Sequence, residues 1–186
     1  MPDLSQDLLG SGSNHLPGFF WDAKTNMNCL KLVIERVLHS GYCHHIERLM
    51  IISNFCLLAG ISPKEVYEWF SSAFIDAYEW VMVPNVFGMG LYVDGAKIAT
   101  KPYISSANYI NKMSNYCKDC AFDKNTRTGD KACPYNFLYW DFLLKNKNVL
   151  QENHRMARML YHLKNLSDQD KNAISKQAVQ FLEIIL

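Results

Sequence analysis

Apolar residues recur along this chain at helical rather than strand spacing. Leu30, Val33, Ile34, Val37 and Leu38 fall on one face of a 3.6-residue repeat. This predicts a helix through CLKLVIERVLHS, with Thr25 or Asn26 as its N-cap and Gly41 as its stop. HHIERLMIISNFCLLA predicts a second helix, ending at Gly60. Ser62-Pro63-Lys64-Glu65 has the spacing of a capping box with proline at the first helical position, so EVYEWFSSAFIDAYEW is expected to be helical. VMVPNVFGMGLYVDGAKIATKPYISS holds Pro84, Gly88, Gly90, Gly95 and Pro102 and reads as a long irregular connection with a small hairpin around Asp94-Gly95. A stretch of that length inside a compact domain is often functional. Helical patterning returns in SANYINKMSNYC, NFLYWDFLLKN and ENHRMARMLYHL, and again in a last helix capped by Ser167-Asp168. The expected fold is all-α with one long functional loop. Residues 1–17 read as a flexible lead-in containing Gly10, Ser11, Gly12 and Ser13, and residues 18–186 as one helical domain.

The length of 186 residues suits one domain with a sizeable core. The formal net charge of +1 gives no bulk sign of nucleic acid or of an acidic partner, so any basic surface has to be local. No apolar run approaches the roughly 18 residues of a membrane span, and no membrane is expected as a partner. The start, MPDLSQDLLGSGSNH, lacks the cationic and apolar stretches of a secretory signal. Six cysteines are too few for a disulfide scaffold in a chain this long, which points to a reduced compartment, the cytoplasm.

Those cysteines carry the strongest chemical signal. Cys117 and Cys120 form a CxxC pair, and Cys133 follows with Pro134 directly behind it. A CxxC pair puts two thiolates within reach of one metal centre, and a third can close on it across a turn-rich loop. Cys29 is the best fourth ligand, whereas Cys43 and Cys56 sit in apolar helical patterns and read as core thiols. The spacing fits a structural zinc or an iron–sulfur cluster and does not separate the two, although a Cys-Pro step behind the last ligand is familiar from clusters.

His44-His45 opens a predicted helix. Successive helical residues point about 100° apart, so the two rings cannot share one job. One can enter a pocket as a proton donor while the other packs or caps. Trp21, Trp69, Trp80 and Trp140 are core residues by default, but a chain of closely spaced aromatics can also carry an electron. Tyr103 and Tyr109, beside the long loop, read as pocket wall or core.

The strings WDAKTNMNCL, GYCHHIERLMIISNF, FIDAYEWVMVPNVFGMG, KPYISSANYINKMSNYCKDC and ACPYNFLYW resemble the iron–sulfur bacterial cryptochromes and photolyases, also called prokaryotic (6-4) photolyases, from about Leu16 to about Leu163. The resemblance implies the family's C-terminal all-helical domain. It also implies a buried FAD that drives light-dependent repair of ultraviolet-damaged DNA, with the lesion flipped out of the duplex into a pocket. A 4Fe–4S cluster would then be ligated by Cys29, Cys117, Cys120 and Cys133. His44 and His45 fall on the family's histidine pair at the lesion pocket, with His45 as the proton donor. Trp69 and Trp21 fall on relay tryptophans. Phe70 stands where a tyrosine can join that relay, so the relay here would rest on the tryptophans. Tyr103 falls on a tyrosine of the lesion pocket and Tyr109 on one between flavin and cluster. By the same resemblance Asp76 and Asn85 would be polar contacts to FAD, and Arg48, Lys97, Lys101 and Lys112 are the expected phosphate contacts.

Family members carry an N-terminal antenna domain and further helices that this sequence lacks. The chain is therefore expected to be the C-terminal portion of such a protein, a truncated frame or one piece of a split gene whose partner is the missing N-terminal part, with no antenna pigment of its own. Two other functions stay open: a blue-light photoreceptor of the same family, and a non-enzymatic, metal-stabilised nucleic-acid-binding fragment.

Overall fold

Helices account for the ordered backbone of this computed structural model, which describes residue 9 and residues 12–93 and 98–186. The first part of the lead-in, the expected hairpin at Asp94-Gly95 and Lys97 lie outside the described residues. Among the described residues no strand forms, only two isolated bridges, Asn14 to Ile61 and Asp123 to Ala132. No described helix is long and apolar enough to cross a membrane. The fold is all-α, as the periodicity predicts.

A short helix α1 (Phe19–Asp22) leads into α2 (Asn28–Ser40). The α2 helix is capped at Met27, one residue beyond Asn26, because the Thr25 hydroxyl accepts the Met27 N–H at 3.2 Å and forms a turn ahead of the helix. It ends at Gly41, whose φ of +66° closes the last turn. The next run comprises α3 (His45–Glu47), a π-helical stretch Arg48–Ser53 and α4 (Asn54–Leu58). Widening to a π turn frees carbonyls, and side chains take them up. Asn54 Nδ2 donates to the Met50 carbonyl at 3.2 Å, and the Tyr135 hydroxyl donates to the Ile51 carbonyl at 2.8 Å.

Helix α5 (Pro63–Ala73) begins with proline at its first turn, but the capping box does not form. Glu65 instead accepts the Leu16 N–H at 2.6 Å and contacts His15 Nδ1 at 2.7 Å, while the Ser62 N–H goes to the Asn14 carbonyl at 2.8 Å. Asn14–Leu16 is thereby tied to the start of α5. The helix also stops at Ala73 rather than running on to Trp80, because Phe74 turns extended.

The segment expected to be irregular is partly helical. After α6 (Glu79–Met82), a second π-helical stretch covers Val83–Gly90. Pro84 has no N–H to give, and the wide register accommodates it. Asn85 Nδ2 donates to the Val81 carbonyl at 2.7 Å. Gly90 is where the two π stretches touch: a Cβ there would lie 2.7 Å from Ser53 Oγ and 2.9 Å from Ser53 Cβ. Gly90→Ala is therefore expected to lower stability by about 1–3 kcal/mol through overpacking. Thermal unfolding against the parent checks this.

The chain closes with α7 (Ala107–Met113), α8 (Pro134–Lys145), α9 (Lys147–Leu150), a 3-10 turn His154–Met156, α10 (Ala157–Lys164) and α11 (Asp168–Ile185). Helix α8 is apolar nearly all round and buried from Pro134 to Tyr139, so it forms the centre against which α4, α10 and α11 pack. Two buried asparagines fix the loops. Asn54 accepts the Ser105 N–H at 3.1 Å and donates to the Ser105 carbonyl at 3.0 Å. Asn136 accepts the Ala107 N–H at 3.1 Å and donates to the Lys124 and Thr126 carbonyls at 2.9 and 2.7 Å. The second asparagine holds the cysteine loop in place.

Candidate functional site

Two helix starts and one loop bring four thiols together. Cys29 lies in the first turn of α2, Cys133 is the N-cap of α8, and Cys117 and Cys120 lie on the connecting loop. The loop is closed by the Asp123 N–H donating to the Lys131 carbonyl at 2.6 Å and the Cys133 N–H donating to the Asp123 carbonyl at 3.1 Å. It is joined to α2 by Asn28 Nδ2, which donates to the Tyr116 carbonyl at 2.9 Å. All four cysteines line one narrow cavity, shared with Tyr116, Phe122, Lys124 and Tyr135. All six cysteines of the chain are free thiols.

Burial pushes the Cys29 thiol well up, and repulsion from Cys133, Cys120 and Cys117 adds to it. Burial takes Cys133 to about 12, against the N–H groups of Tyr135 and Asn136 that favour its thiolate. Cys117 is raised by burial and then by Cys120. A cation bound among such thiols has to deprotonate them. Four cysteines are the donor type that a thiolate-ligated metal group takes. Among the described residues no three Cys, His, Asp or Glu side chains close tightly enough around a point to hold a single metal ion. Cys43 and Cys56 are buried elsewhere, as core thiols.

The histidine pair divides between two clefts. His44 is the N-cap of α3: its Nδ1 accepts the Ile46 N–H at 3.2 Å, and its own N–H donates to Glu47 Oε2 at 3.1 Å. It borders a cleft of about 290 Å³ together with Glu47, Met50, Tyr109 and Tyr116. His45 borders another, of about 190 Å³, with Arg48, Phe70, Asp76 and Asn85. Burial, then Arg48 and His44, hold His45 below the ordinary histidine value.

Arg48, expected as a phosphate contact, is engaged within the chain. Its Nη1 and Nη2 grip Asp76 Oδ1 and Oδ2 at 3.0 and 2.9 Å, and its guanidinium lies over the rings of Phe74 and Tyr42, at 4.3 and 5.1 Å from their centres. Of the other expected phosphate contacts, Lys101 is half-buried and Lys112 exposed.

Trp69 is buried, with its Nε1 donating to the Phe20 carbonyl at 3.0 Å. Its ring meets Phe70 edge-on at 5.3 Å, and Phe70 forms part of the His45 cleft wall. Trp21 stands at the surface, 59% exposed. Tyr103 is half-buried in the segment before α7 and borders neither cleft. The structure thus gathers His45, Asp76 and Asn85 in one cleft, Tyr109 and His44 in the other, and the four cysteines in the cavity.

Three site residues escaped the sequence reading. Arg36, Glu47 and Tyr116 form a hydrogen-bonded cluster between the first cleft and the cysteine cavity. Glu47 does stand three residues after His44, the spacing of a capping box, and Tyr116 directly precedes Cys117. Burial pushes the Glu47 carboxyl up, but the bonds from Tyr116, Arg36 and the His44 amide outweigh it and hold the group below its ordinary value.

No family model matches the chain. It is 46% identical over 181 residues to a (6-4) photolyase of Agrobacterium fabrum, an alignment covering 97% of this chain and 36% of that protein. It is 45% identical over 93 residues to an uncharacterized protein of Acanthamoeba polyphaga mimivirus, covering 50% of this chain and 72% of that one. The chain therefore spans about a third of the length of the photolyase it matches.

Proposed function

From the premise that this chain belongs to the photolyase family, in whose C-terminal helical part it falls, we propose that it forms the cluster-bearing wall of a light-driven (6-4) lesion repair site. In this reading Cys29, Cys117, Cys120 and Cys133 hold a 4Fe–4S cluster, and the His45 cleft faces flavin and an ultraviolet-damaged pyrimidine pair flipped out of DNA. The observation that carries it is the meeting of His45, Asp76 and Asn85, from three separate segments, around one cleft whose wall includes Phe70 and, behind it, Trp69.

Reduced flavin, when bound, supplies the light-driven electron; the protein supplies binding, orientation and exclusion of water. His45 holds the proton. Burial, Arg48 and His44 disfavour the charged ring, so His45 has to take up a proton before each transfer and then releases it readily to a lesion bearing an extra electron. The Asp76 clamp and the two aromatic rings keep Arg48 from swinging, so a fixed guanidinium stands in the cleft wall. Trp69, buried beside that wall, is the nearest relay element, and Trp21 is the surface end. Either a zinc ion or a 4Fe–4S cluster would take four thiolates here, and the family relationship, with the Cys133-Pro134 step, is what favours the cluster.

Anaerobic purification after iron and sulfide reconstitution tests the metal half, with a broad iron–sulfur absorption and EPR signal expected. Uptake of zinc alone would overturn it. The repair half is tested in a chimera in which this chain replaces the matched part of the Agrobacterium photolyase, by following loss of (6-4) lesions under blue light. Flavin photoreduction with lesions left intact would instead assign light sensing.

A further inference from the structure

The Glu47 carboxylate gathers donors from three separate places. Arg36 Nη1, from α2, reaches Oε1 and Oε2 at 2.8 and 2.7 Å. The Tyr116 hydroxyl, from the arm that leads into Cys117, donates to Oε1. The His44 N–H donates to Oε2 at 3.1 Å. Arg36 Nη2 also reaches the Tyr116 hydroxyl at 3.2 Å, which closes the cluster. An isolated surface ion pair is worth little. This carboxylate is different: its side chain is only 15% exposed, and it accepts charge-assisted and backbone bonds together. Tyr116 is anchored at its other end, since its carbonyl accepts Asn28 Nδ2, next to Cys29, and its ring borders both the cysteine cavity and the first cleft.

We propose that Glu47 and Tyr116 are positioning residues for the histidine pair, fixing the first turn of the histidine helix against the arm that carries Cys117. Glu47 holds the His44 amide, which sets where the helix begins. With the start fixed, His44 Nδ1 stays an acceptor for the Ile46 N–H, so its ring proton resides on Nε2. His45, the first residue of the helix, borders the other cleft. A shift of the cysteine arm would reach the histidines through the Tyr116 hydroxyl. This inference rests on the reading of His44 and His45 as the proton-handling pair.

The test uses the whole chain, as Tyr116→Phe and Glu47→Gln. NMR records the ring-proton resonances of both histidines and the exchange rates of the His44 and Ile46 amides. Metal content and melting temperature are measured on the same samples. In Glu47→Gln both amides are expected to exchange about tenfold faster or more, as for a lost hydrogen bond to a charged group. Tyr116→Phe, which keeps its ring, is expected to displace the His44 and His45 resonances at near-parental melting temperature. Histidine resonances and amide exchange in Tyr116→Phe that match the parent would overturn the proposal, even if Glu47→Gln fails to fold. So would a loss of stability in either variant with the histidine signals unmoved. None of these readouts needs flavin, DNA or iron, so a chain that repairs nothing still decides the matter.

Discussion

Cys29→Ser is expected to abolish metal loading, dropping iron from about four atoms per chain to less than one after anaerobic reconstitution. The reason lies in where the four thiols sit. Cys117, Cys120 and Cys133 belong to one loop and the helix that ends it, whereas Cys29 stands at the start of α2. Without Cys29, a group held by the other three would be tied to the loop alone. A serine hydroxyl is a hard, weakly acidic donor and a poor substitute for a thiolate. Because ligand binding and folding are linked, the melting temperature of the reconstituted variant is expected to fall to that of the metal-free parent, a loss of several kcal/mol. Cys120→Ser is expected to act in the same direction. The control is Cys56→Ser, which changes a fully buried thiol that does not border the cavity. It is expected to lower stability and leave iron content near the parent's. Iron analysis and thermal unfolding of the three variants check this. Parental iron and melting in Cys29→Ser would remove Cys29 from the ligand set.

The all-α architecture was legible because long apolar stripes dictate helices whatever surrounds them, as in α2 and around the Ser167 cap of α11. Where local chemistry has a competing tertiary partner, the sequence misleads. Glu65 has capping-box spacing, yet the Leu16 N–H, far along the chain, takes its carboxylate. Pro84, Gly88 and Gly90 read as breakers, yet a π register absorbs the proline and a close crossing at Ser53 requires the last glycine. Neither π stretch disturbs the apolar pattern enough to be seen from it. The CxxC and the third cysteine were visible as spacing. The approach of Cys29 to them depends on contacts such as Asn28 to Tyr116, between residues 88 positions apart, and no local pattern encodes it. The Glu47 cluster was half-visible: its capping position is local, but its partners Arg36 and Tyr116 lie 11 and 69 positions away.

His45→Ala is expected to lower light-driven lesion repair by about a hundredfold or more, the usual cost of losing a positioned proton donor, while flavin content stays near the parent's. The two histidines differ in a way that makes this a sharp test. His44 uses its Nδ1 and its N–H to begin the helix, so His44→Ala removes a cap and is expected to cost about 1 kcal/mol of stability. His45 makes no contribution to that cap. Its ring borders the cleft with Arg48, Asp76 and Asn85, and truncating it leaves the Arg48–Asp76 clamp and the Trp69–Phe70 contact intact. Flavin photoreduction, which on the proposed reading draws on the tryptophans, is expected to proceed at the parental rate in His45→Ala. Only the step that needs a proton should fail. The measurement is lesion loss per absorbed photon in the chimera, alongside flavin photoreduction in the same samples. Repair within a few-fold of the parent would take the proton-donor role from His45. A parallel loss of repair and photoreduction would mean that the cleft itself had collapsed, and the melting temperature would register it.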